Sequence, residues 1–185
     1  MPIFSKPNAI VYVRRNGLIV AGKKLSPARM TFDAAQLQNM EIVDDTAFID
    51  TVRAFFVEHG MKGKHALMVL DDSVVFTKEI SISSQSKPAD LADGFIEQMP
   101  LTAGQRACLR VLDDMQLKLY GTNGELYLAI ADALDQAGAA RLLAITPASA
   151  YPSEGGRQQL AAAVQQYVND TDVRAKANFQ DTPLV

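Results

Sequence analysis

The sequence predicts an α+β (α/β) protein folded as one domain over residues 1–168, followed by a polar tail over 169–185. Three observations predict it. Hydrophobic residues make up 48% of the 185 positions and charged residues 21%, a composition that supports a core and excludes global disorder. Short runs rich in β-branched and aromatic residues alternate with longer stretches whose apolar residues recur at helical spacing. Turn and cap residues stand between them, among them Asn16-Gly17, Gly60, Pro100, Asn123 and Gly138.

Ala9-Ile10-Val11-Tyr12-Val13 and Leu18-Ile19-Val20-Ala21 read as two strands. The Asn16-Gly17 between them favours positive φ at both centres of a type I′ turn, hence a tight hairpin. Arg29-Met30-Thr31-Phe32 adds a third strand after Pro27. Asp45-Thr46 then caps a helix in which Phe48, Ile49, Val52, Phe55 and Phe56 form one apolar stripe, stopped at Gly60. The stripe is expected to pack against two strands, 65–70 and 74–82, separated by the turn Asp71-Asp72-Ser73. After a polar loop, Leu91, Phe95 and Met99 predict a helix ended by Pro100. Residues 106–112 and 115–120 predict a second hairpin, turning at Asp113-Asp114.

Asn123 is placed to cap a long helix with Leu126, Ile130, Leu134 and Ala137 on one face, and a strand over 141–145 follows it. Leu160, Val164, Tyr167 and Val168 mark a last helix. The segment 67–72 is echoed at 109–114, through an internal duplication or through two turns that use the same aspartate chemistry.

Net charge is −3, from 18 basic and 21 acidic residues. The signs are interspersed along the chain, without the concentrated basic face that nucleic acid requires. Cys108 is the only cysteine and lies in an apolar run, as a buried structural thiol does; its count excludes an intrachain disulfide. The first seven residues lack the apolar region of a secretory signal, and no run of about 18 apolar residues occurs, so no membrane span is expected.

The search for chemistry returns nothing. Gly60-Met61-Lys62-Gly63-Lys64-His65 has two residues between its glycines where a phosphate loop needs four, and a histidine where the magnesium-binding hydroxyl belongs. Asp71, Asp72, Asp113 and Asp114 lack the spacing of a calcium loop and read as solvated turn residues. His59 and His65 lie at element ends without a nucleophile or metal motif around them. No enzyme activity, metal or cofactor is expected.

Three stretches together resemble the PilM family, the actin-like cytoplasmic proteins of type IV pilus assembly. More distantly they resemble cytoplasmic domains of the GspL kind in type II secretion, and FtsA. They are Asn39 to Asp44 with the helix after it; Gly60 to Leu70 running into 74–80; and Leu126 to Gly138 with Pro147-Ala148-Ser149-Ala150. The resemblance implies a truncated actin-like (ribonuclease H-like) lobe with an inserted strand-helix-strand-strand module, here assigned to 39–82. It also implies a groove between module and lobe where a partner's short segment binds.

The chain departs from the family at the first phosphate-binding hairpin. Arg14-Arg15-Asn16-Gly17-Leu18 stands where a Gly- and Ser-rich turn would cradle the anion, and the second lobe that would close over a nucleotide is not expected within this chain. The reading is a non-catalytic docking or scaffold domain at the inner face of the cell membrane. Its partner would be a membrane-anchored pilus or secretion protein, engaged through that protein's cytoplasmic segment. No nucleic acid partner and no membrane insertion are expected, and a homodimer is compatible with it. The edge assigned to the partner is Phe76, Thr77, Lys78 and Glu79. The alternatives are a small-molecule sensor, or a vestigial nucleotide-binding lobe that uses Arg14, Arg15, Lys23 and Lys24.

Overall fold

The computed structural model describes residues 7–113 and 115–150. β1 (Ala9–Arg14), β2 (Gly17–Gly22) and β3 (Ala28–Thr31) form an antiparallel meander. The first turn differs from the type I′ expectation. Its ladder closes at Arg14↔Gly17, so Arg15 and Asn16 are the loop residues, and none of Arg15, Asn16 and Gly17 has a positive φ. Gly17 serves close approach instead: a Cβ there would stand 2.2 Å from the carbonyl oxygen of Met30. The left-handed pair is Asn39-Met40, at φ 50° and 69°. It joins β4 (Leu37–Gln38) to β5 (Glu41–Ile42). Strands of two residues carry no alternation, so this hairpin has no signature in the sequence.

α1 (Asp45–Glu58) is capped by Asp44, one residue before the expected cap; its carboxylate accepts the Ala47 N–H at 3.0 Å. Then come β6 (His65–Leu70), a 3-10 turn at Asp72–Val74, β7 (Phe76–Ser81), α2 (Pro88–Glu97), β8 (Arg106–Asp113), β9 (Gln116–Asn123), α3 (Gly124–Gln136) and β10 (Arg141–Pro147). The main sheet has the order β10-β6-β1-β2-β3, with β6 parallel to both β1 and β10. An antiparallel meander continued by two parallel strands with crossovers is the ribonuclease H-like arrangement of an actin-like lobe. α1 and α3 cover one face. Phe48, Val52, Phe55 and Phe56 pack there with Val11, Val13, Met68 and Leu70 of the sheet and with Leu126, Ile130 and Leu134 of α3.

The inserted strand-helix-strand-strand module is present, and its assignment to 39–82 is corrected. Residues 45–70 belong to the lobe, because β6 is a central strand and α1 is its cover. The module is β7-α2-β8-β9, over 76–123, with strand order β7-β9-β8. The burial patterns give the reason. β6 is buried at every position after His65, as a parallel strand covered on both faces must be, while β7 is exposed at four of its six residues. The α1 stripe therefore packs on β6 but not on β7. Phe76 and Ile80 join a separate small core with Ala92, Phe95, Met99, Leu117 and Leu119. α2 lies so close to β9 that a Cβ on Gly121 would meet the Phe95 ring at 2.9 Å. The last helix and the polar tail of the sequence reading lie outside the described residues.

Candidate docking cleft

The module is entered from the carboxyl end of β6 and left directly into α3, so the module and the lobe meet at the carboxyl ends of the parallel strands. Open α/β sheets place their ligand sites at that end. A cleft of about 250 Å3 lies at this junction. Arg15 comes from the β1–β2 turn, Asn39 and Met40 from the β4–β5 turn, Ser73, Val74 and Val75 from the segment after β6, and Phe76, Pro100 and Leu101 from the module. The lining is mainly apolar, with one guanidinium, one amide and one hydroxyl as donors.

Neighbouring polar residues hold two of the walls. Val74 presents its carbonyl oxygen to the Thr122 hydroxyl at 2.8 Å and to the Tyr127 hydroxyl at 3.3 Å. Asn123, fully buried, donates through Nδ2 to the Met40 carbonyl at 2.7 Å. Its Oδ1 accepts the Glu125 and Leu126 N–H groups and so caps α3. One residue thus ends β9, starts α3 and holds a buried methionine in the left-handed region, which a non-glycine residue adopts only when its surroundings impose it.

Asp71 corrects a second expectation. It is 2% exposed rather than solvated. Its carboxylate accepts the Tyr12 hydroxyl at 2.5 Å and the Ser73 N–H at 2.9 Å, fixing the turn that carries the cleft wall. Burial first, and then the Asp71 carboxylate, push the Tyr12 phenol far above the ordinary tyrosine range; burial does the same to Tyr127. Both hydroxyls stay neutral in the fold while unfolded tyrosine ionises near pH ~10. Above that pH the unfolded chain binds fewer protons, so stability falls as pH rises. Tyr12→Phe is expected to flatten the decline of the urea midpoint above pH ~10 by one proton's share. An unchanged slope would show that Tyr12 ionises normally in the fold.

The β3-β2-β1-β6-β10 order and the module at the carboxyl end of β6 define the fold. It is an actin-like lobe with an insertion.

No protein-family model matches the chain, and no curated protein matches it. Among solved structures it is similar to the cytoplasmic domain of EpsL, an inner-membrane component of the type II secretion system of Vibrio cholerae. That likeness has 8% identity and a TM-score of 0.47, over 76% of this chain and 56% of that one. It is similar to a PilM–PilN type IV pilus biogenesis complex at 12% identity and a TM-score of 0.49, over 83% of this chain and 52% of that one. A Bacteroides thetaiotaomicron protein of unknown function with an actin-like ATPase fold gives 10% identity and a TM-score of 0.47, over 91% and 61%. The chain spans 52% to 61% of the length of these solved chains. The fold assignment rests on the strand order.

Of the residues assigned to a partner from sequence, Phe76 lines the cleft, and Thr77, Lys78 and Glu79 lead away from it along β7, all exposed. β7 pairs only with β9 among the described residues, so its other edge is open there. Glu79, exposed, lies 3.8 Å from the half-buried Lys118. The four basic residues of the nucleotide alternative do not meet: Arg14 ends β1 and Arg15 follows it, whereas Lys23 and Lys24 follow β2 at the opposite end of the same hairpin. Sequence reading missed Asn39, Met40, Ser73, Pro100 and Leu101, which become neighbours only through folding. Asn39, a residue tolerant of positive φ, carried the one local signal.

Proposed function

We propose that this chain is a non-catalytic docking lobe, working at the inner face of a cell membrane, that takes a short extended segment of a membrane-anchored assembly protein. One observation carries the reading: an apolar cleft between module and lobe opens onto the start of an edge strand, so a peptide that pairs with β7 leads its side chains into the cleft. Backbone pairing supplies affinity in such a mode, and the pocket supplies selectivity. The sequence resemblance to pilus and secretion components points to the class of partner. Among the described residues no helix is long and apolar enough to cross a membrane. The β1–β2 turn supports the absence of nucleotide chemistry, because only Arg15 and Asn16 stand between its ladder ends and leave little backbone to cradle an anion.

Capture from membranes of the source organism tests the reading. The immobilised chain is expected to retain a bitopic pilus or secretion protein through its cytoplasmic segment. Pro100→Glu, which places a charge on the cleft rim, should abolish retention, while Leu128→Glu on the outer face of α3 should leave it intact. Retention that survives Pro100→Glu, or recovery of soluble enzymes alone, rejects docking at this cleft. Calorimetry with magnesium and ATP is expected to give no heat, and a micromolar dissociation constant would reject the non-catalytic assignment.

A further inference from the structure

Charges interspersed in sequence are sorted by the fold along the strand axis. At the end opposite the cleft, the loops entering β6 and β10 and leaving β2 bring together Lys23, Lys24, Lys62, Lys64 and Arg141, against the carboxylates Glu58 and Asp135. The cleft end reverses the balance, with Asp33, Asp44, Asp45, Asp71, Asp72 and Glu125 against Arg14, Arg15 and Arg106. Four of the five cations at the basic end are exposed, and Lys64 is half-buried.

These loops are laced to one another. The Gly63 N–H donates to the Gly138 carbonyl at 2.8 Å, the Ala140 N–H to the Lys64 carbonyl at 2.9 Å, and Lys64 Nζ to the Lys23 carbonyl at 2.8 Å. Left-handed residues make the tight loops possible: Lys24 at φ 60°, Gly63 at 71° and Gly138 at 82°. The cations therefore sit on a preorganised surface. From β10 to β2 it spans three strand spacings, about 14 Å.

We infer that this basic end adsorbs to an anionic lipid surface. Four lysines and one arginine spread across strand ends act as point charges toward a diffuse field of headgroup phosphates. Base stacking needs aromatic platforms, and no aromatic residue is exposed among these loops, which disfavours single-stranded nucleic acid. Among the described residues the net of three charges at this end corresponds to roughly a hundredfold preference for anionic over neutral bilayers. The cleft then faces away from the bilayer, about 20 Å off along six-residue strands. A membrane partner would need roughly six extended residues to reach it.

The inference goes beyond the docking reading and uses none of its residues, so either one can fail alone. Sedimentation with vesicles of phosphatidylcholine containing about 30% phosphatidylglycerol, against phosphatidylcholine alone, tests it. The chain should partition to the anionic vesicles at low salt, lose that binding in about 0.5 M salt, and ignore the neutral ones. Lys23→Gln and Lys62→Gln should each weaken partition about fivefold, whereas Lys87→Gln and Arg110→Gln, exposed in the module, should change nothing. Equal partition to both vesicles, or full binding by the Lys23→Gln/Lys62→Gln variant, overturns the proposal. So does tighter, salt-sensitive binding to duplex DNA with none to lipid.

Discussion

Phe56→Ala is expected to lower stability by about 3–5 kcal/mol, the usual cost of truncating a core phenylalanine. Phe56 is fully buried, and its ring lies 6.1 Å from that of Phe55 on the face of α1 turned to the sheet. The surrounding side chains belong to the sheet and to α3, so they relax little into the space. Phe55→Ala should cost less than Phe56→Ala, because Phe55 is 9% exposed and packs partly on the terminal His59 ring at 4.5 Å. Urea unfolding reads both. A loss below about 1 kcal/mol for Phe56 would place α1 in another rotation on the sheet.

Asn123→Ala is expected to cost about 1.5–5 kcal/mol, from the lost cap at about 0.5–2 and the orphaned Met40 carbonyl at about 1–3. Asn123→Asp separates the two contributions. Its carboxylate still accepts the Glu125 and Leu126 N–H groups, but it cannot donate to Met40 and sets an anion against that carbonyl. If the aspartate variant matched the wild type in urea, the bond to Met40 would contribute nothing. If it fell near the alanine variant, the clamp on the cleft floor would outweigh the cap.

Most strands and all three described helices were legible, because each is specified by a local period and a local stop signal. Asn123 before Leu126, Ile130 and Leu134 is such a case, and Gly60 after Phe56 is another. The module was legible as a type of unit but not in its place. His65–Leu70 is nearly all apolar and Phe76–Ser81 mostly polar, a contrast that separates a central strand from an edge but does not say which sheet each joins; only their partners decide that. The cleft was less legible still. Arg15, Met40, Val74 and Leu101 are separated by about 25 to 34 residues in sequence, and no periodicity relates them.

The sequence by itself determined the alternation of strands and helices, the capping of α3 by Asn123 and the face of α1 that is buried. These depend on interactions within a few residues, where side-chain chemistry and backbone geometry are coupled directly. Only the tertiary structure decided that Gly17 admits β3, that Asp71 is buried against Tyr12, and that the lysines of two loops share one end with Arg141. Those outcomes depend on which strands become neighbours. That choice is made by the burial of whole apolar faces, a collective energy that no single residue carries.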